Sequence, residues 1–202
     1  MIILGLTGSI GMGKSTASAT LRRLGLPLYD ADAEVHLLLA PGGAAVRRVE
    51  AMFPGVCNEA GGIDRRRLGQ RVFGDAAALH RLEAILHPMI RVAERRVVTR
   101  ARARHAPIVV LDIPLLFETG STGRCDYVLV VSASRREQRQ RVMRRPGMTE
   151  TRFAEILQAQ MPDHEKRRRA DFVVWTGLGR HVAIRQLRGI VRKLRQGDVP
   201  RR

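Results

Sequence analysis

The chain has 202 residues, 45% of them apolar, and a formal charge of +17; that is enough to bury one sizeable core and too short for a string of domains. Only three of its 36 basic residues are lysine (Lys14, Lys166 and Lys193), and so much arginine suits polyanionic partners, phosphorylated metabolites or nucleic acid alike. No apolar run is long enough to cross a bilayer, the apolar start is too short for a secretory signal, and Cys57 and Cys125 lack metal-like or C-x-x-C neighbours, so a cytoplasmic protein with reduced thiols and no membrane partner is expected.

In chain order, residues 2–6 are a short apolar run that predicts a buried strand. The run leads into "LTGSIGMGKST", where Gly8, four residues and then Gly13-Lys14-Ser15 fit the phosphate-cradling P-loop. Gly8, Gly11, Met12, Gly13, Lys14, Ser15 and Thr16 are therefore the candidate nucleotide-binding residues. Lys14 is placed to reach the β- and γ-phosphates of ATP, and the Ser15 hydroxyl to ligate Mg²⁺. A helix over 15–24 follows, and its N-terminal dipole favours anions.

Residues 27–29 predict a second strand, 108–111 a third, 127–131 a fourth and 172–175 a fifth. The alternation with helices predicts an α/β fold: a P-loop NTPase-type parallel sheet of about five strands flanked by helices. Between the second and third strands the chain is far longer than one crossover helix needs. Residues 41–104 are read as a helical, acceptor-binding insertion, with helices near 44–53, 64–73, 76–86 and 88–104. Residues 135–169 are read as a lid, with helices over 135–145 and 149–160 parted by Pro146-Gly147. The core then comprises 1–40, 105–134 and 170–196, and residues 197–202 are expected to fray.

In an open parallel sheet, ligands gather beyond the carboxyl ends of the strands. Asp30 and Asp32 follow the second strand and Asp112 ends the third. Asp30 suits a helix cap. Asp32, two positions on, can take the proton of an attacking hydroxyl. Asp112 is either a metal-holding acid or a strand-end turn residue. On the lid, Gln138, Arg141 and Arg145 are spaced along one helix face. Arginines there can close over phosphates and stabilise transferring charge, or merely solvate a surface. The candidate catalytic set is Lys14, Asp32, Arg141 and Arg145, with Ser15 and Asp112 as the metal positions. His87-Pro88 sits in no metal-like set, and "RVVTRARARH" lacks the interleaved aromatics that stack on bases.

Taken together, the P-loop, "YDADAEVHLLL", "ILHPMI", "LDIPLLFETG", Gln138/Arg141/Arg145, "ILQAQMP" and "RRADFVV" occur in an order that resembles the dephospho-coenzyme A kinases, from residue 2 to about 194. The resemblance implies transfer of the ATP γ-phosphoryl group to the ribose 3′-hydroxyl of dephospho-coenzyme A. It also implies Asp32 as the base and Lys14 and Ser15 as the ATP and metal positions. One departure is Thr176, which stands where the family usually carries an asparagine, so a hydroxyl replaces an amide near the nucleotide base. A GTPase is disfavoured, since N-K-x-D needs an asparagine and the only one, Asn58, precedes Glu59. Another P-loop small-molecule or nucleotide kinase, and a nucleic-acid-stimulated ATPase, remain the alternatives; nucleic acid is not an expected obligatory partner, and oligomeric state is not readable.

Overall fold

The computed structural model describes residues 1–199. Its strands are β1 (Ile2–Thr7), β2 (Leu28–Asp30), β3 (Ile108–Asp112), β4 (Tyr127–Ser132) and β5 (Phe172–Trp175). They form one parallel sheet in the order β2-β3-β1-β4-β5. β1 lies at its centre, with Leu6 opposite Asp112 on β3 and Thr7 opposite Val130 on β4. Every residue of β3 and β4 is buried, which is why these strands read as unbroken apolar runs rather than alternating ones.

The helices are α1 (Lys14–Arg23), α2 (Ala31–Leu39), α3 (Val46–Met52), α4 (Arg65–Val72), α5 (Ala76–Ala103), α6 (Arg135–Met143), α7 (Glu150–Gln158), α8 (Asp163–Arg169) and α9 (Arg180–Gln196). Contacts divide the chain into two compact units, one of Met1–Tyr29 and the chain from Val98 onward, the other of Asp30–Val97. The core of the first packs Leu4, Leu6, Leu21, Ile108, Leu129 and Leu187. The core of the second packs Val49, Phe53, Val56, Leu68 and Leu82.

Most helix starts are written in the sequence. Asp30 caps α2 by accepting from the Ala33 N–H at 3.1 Å, Asp64 caps α4, and Ser134 and Glu137 form a reciprocal capping box on α6. Three boundaries depart from expectation. Residues 76–86 and 88–104 are one helix, α5, which carries Pro88 inside it. An internal proline costs about 3 kcal/mol, yet Ala78, Leu82, Ile85, Leu86 and Met89 keep one apolar stripe running past it into the core of the second unit, and that burial outweighs the lost turn. α6 stops at Met143, so Arg145 lies beyond the helix rather than on its face. α8, which sequence periodicity misses, begins directly after Pro162. At the other end of the chain, Gly197 closes α9 in the left-handed conformation. The Tyr127 hydroxyl donates to the Val199 carbonyl at 2.8 Å, so Gly197–Asp198 and Val199 are tied down; the rest of the expected tail, 200–202, lies outside the described residues.

Within the second unit, the turn after Phe53 is organised by one carboxylate. Glu50 accepts from the Gly55, Val56 and Cys57 N–H groups at 2.7, 3.2 and 2.8 Å. The Gly55 N–H bond and then the Cys57 thiol hold its pKa below the usual glutamate value. The sign follows: a depressed carboxylate anchors the turn fully above the ordinary glutamate range and lets go as pH falls through its lowered value. Followed by NMR, the Gly55 and Cys57 amide signals are expected to move together in acid with a midpoint below that of free glutamate, and Glu50→Gln to abolish the titration. A midpoint at or above the free value would refute the anchor.

Candidate active site

The loop between β1 and α1 is shaped by its glycines, Gly13 and Gly8 among them. Gly13 sits at φ 93° as the residue before α1, a conformation costly for any residue with a Cβ. Gly8 packs so tightly on β4 that a Cβ would meet the Val131 carbonyl oxygen at 2.8 Å. The loop therefore packs closely on the end of β4, and Ser15 and Thr16 in the first turn of α1 are exposed.

Lys14 and Asp112 come together there. The ammonium lies 2.8 Å from Asp112 Oδ1, and the Ser18 hydroxyl, one turn further along α1, donates to Oδ2. Asp112 is only 2% exposed, and a buried carboxylate is tolerable only with such partners. Ser18 is a site residue that sequence reading misses, although its i+4 spacing from Lys14 puts both on one helix face.

The outward side of the loop is held from the region of α6 to β5. The Gln138 side-chain amide donates to the Ile10 carbonyl at 2.9 Å, and the Ile10 N–H donates to Gln160 Oε1 at 3.0 Å. Arg141 donates to the Gly11 carbonyl at 3.3 Å and makes a two-armed contact with Thr176, to its hydroxyl at 2.8 Å and its carbonyl at 2.9 Å. The Thr176 hydroxyl in turn donates to the Met12 carbonyl at 2.7 Å. Thr176 thus fastens the loop, a role open to any residue with one donor and one acceptor. Beside it lies a cleft of about 340 Å³ lined mainly by apolar groups, with Gly13, Thr16, Arg141, Thr176 and Ile184 around it, a composition suited to a flat heterocycle.

Asp32 belongs to the second unit. It is exposed in the first turn of α2, whose cap is supplied by Asp30, leaving the Asp32 carboxylate without that duty. Arg145 is exposed in the turn after α6. Among the described residues no three His, Cys, Asp or Glu side chains cluster as a metal cage. Ser15 and Asp112 are nonetheless hard oxygen donors, the chemistry Mg²⁺ takes when phosphates and water complete its shell.

A family model described as dephospho-CoA kinase matches residues 2–177 of the chain. The dephospho-CoA kinase of Paramagnetospirillum magneticum is 60% identical over 167 residues, covering 83% of this chain and 78% of the relative. That of Mesorhizobium japonicum is 52% identical over 195 residues, 96% of this chain and 98% of the relative. A solved Thermus thermophilus structure superposes with a TM-score of 0.80 at 37% identity, covering 96% of this chain and 97% of its own.

Proposed function

The chain belongs to the dephospho-CoA kinase family, and on that premise we propose which of its residues carry out the family's reaction, the ATP-dependent phosphorylation of dephospho-coenzyme A that completes coenzyme A synthesis. The observation that carries the assignment is the Lys14–Asp112–Ser18 cluster at the end of β1 and β3, directly under the glycine loop. A polyphosphate on the loop draws the Lys14 ammonium towards its β- and γ-oxygens, and Ser18 stays with Asp112. The cleft beside Gly13 and Thr176 takes the adenine. Ser15 and Asp112 would hold Mg²⁺, which would supply neutralisation of phosphate charge.

The helical insertion, 41–104, most of which falls in the Asp30–Val97 unit, binds the acceptor, and residues 135–169 form the lid. Asp32 accepts the proton of the ribose 3′-hydroxyl as its oxygen forms the bond to the γ-phosphorus; the bond to the β-bridging oxygen breaks and ADP leaves. Arg141 stabilises charge from the nucleotide side, and Arg145, on its turn, is the arm that lid closure brings over the phosphates. Among the described residues no helix is long and apolar enough to cross a membrane. Incubating the chain with ATP, Mg²⁺ and dephospho-coenzyme A is expected to yield a product heavier by one phosphoryl group, detected by mass spectrometry. ATP turnover that responds only to added nucleic acid would overturn the assignment in favour of an ATPase, the reading that the +17 charge invites.

A further inference from the structure

A peptide unit offers one donor and one acceptor, and at Ile10, in the first half of the P-loop, both are taken by glutamine side chains from distant segments. Gln138, 4% exposed on α6, gives an amide N–H to the Ile10 carbonyl. Gln160, just past α7, gives its carbonyl oxygen to the Ile10 N–H. The orientation of each amide is fixed by its partner, because a carbonyl can only accept and an N–H can only donate. The two carbonyls that follow point outward as well, Gly11 to Arg141 and Met12 to Thr176. A loop that is to accept an anion must turn its N–H groups to one side and its carbonyls to the other. The side chains around the loop hold the Ile10, Gly11 and Met12 carbonyls, and Gln160 fixes the plane of the Ile10 peptide by taking its N–H as well.

We infer that Gln138 and Gln160 are positioning residues: through the Ile10 peptide they hold the P-loop in its anion-accepting form, and so set affinity for the nucleotide's phosphates without touching them. Gln160 is itself set in place by its neighbour, since the Met161 N–H donates to Glu118 Oε1 at 2.9 Å. The inference rests on the kinase reading for the identity of the anion, a nucleoside polyphosphate, and on the geometry for everything else.

The test uses the opposite polarity of the two amides. Gln138→Glu places a carboxylate against the Ile10 carbonyl, whereas Gln160→Glu keeps an acceptor facing the Ile10 N–H. Both add the same charge close to the same peptide, so their difference reports hydrogen-bond polarity and cancels electrostatics. ADP binding to the full chain, measured by calorimetry, is expected to weaken about tenfold more in Gln138→Glu than in Gln160→Glu, the scale of leaving a buried polar group opposed rather than paired. Gln160→Leu is expected to bind ADP about fivefold more weakly than Gln160→Glu. In turnover assays the KM for ATP rises and that for dephospho-coenzyme A does not. Equal losses in the two glutamate variants, or a Gln160→Glu variant no better than Gln160→Leu, would overturn the clamp. If Gln138→Glu proves unstable to heat, the Gln160 pair decides alone. ADP binding needs no acceptor, so wild-type chain that binds ADP but leaves dephospho-coenzyme A unchanged would sink the kinase reading and leave this one standing.

Discussion

Asp32→Asn is expected to lower kcat by about 10²–10⁴, the usual share of one acid–base group, while calorimetric affinity for ADP is retained. The substitution is isosteric and removes the negative charge together with the ability to take up a proton. It also spares the fold. The N-cap of α2 is Asp30, whose carboxylate accepts from the Ala33 N–H, so the helix keeps its start when Asp32 changes. The matching control is Asp30→Asn: asparagine caps as well as aspartate, so this variant should preserve α2, and its turnover separates disturbance of the helix from loss of the base. If Asp32→Asn turns over near the wild-type rate, Asp32 is not the base. If both variants fail equally and melt early, the carboxylates serve the helix and not the reaction.

How far the sequence speaks depends on whether the cause is local. The P-loop is legible because its glycines answer to backbone geometry within a few residues, as the φ of 93° at Gly13 shows, and because a buried strand precedes it and a helix follows. The central strands are legible because full burial on both faces writes them as apolar runs. α5 is not: the proline is a local signal for a break, and the stripe from Ala78 to Met89 that overrides it has meaning only once the second core exists. The same limit applies to the site. Asp112 and Lys14 are marked by type and position. The roles of Ser18, Gln160 and Thr176 come from contacts that span up to 164 residues of chain, and although spacing or motif marks their positions, their own neighbourhoods do not say what they touch. Thr176 illustrates the cost of reading by family pattern, since the missing asparagine raises a doubt about base binding while the hydroxyl in its place is holding Met12 and Arg141.

The largest stability effect is expected from the least accessible charge. Lys166 on α8 is 0% exposed, and its ammonium lies 2.7 Å from Glu118 Oε1, the same oxygen that receives the Met161 N–H. The pair is held by charge more than by alignment: among the described residues neither the ammonium nor Glu118 Oε2 makes a well-aligned hydrogen bond. Such a pair adds little net stability while intact, because desolvation offsets attraction, but removing one partner strands the other. Lys166→Met is therefore expected to cost about 3–5 kcal/mol, or about 6–20 °C in melting midpoint for a chain of this size at roughly 2–4 °C per kcal/mol. Glu118→Gln added to it should restore most of the loss, since the carboxamide oxygen still accepts from Met161 and the stranded charge is gone. A Lys166→Met protein that melts with the wild type would show the pair to be solvated after all. The double variant has a second use. Like Lys166→Met itself, it keeps the bond at Met161 that seats Gln160, so if the loop clamp is real, ADP affinity measured below the melting range stays near the wild-type value in both variants; loss of ADP affinity in folded Lys166→Met that the double variant does not recover would mean that the buried ammonium itself, and not the hydrogen bond beside it, sets the position of Gln160 against the loop.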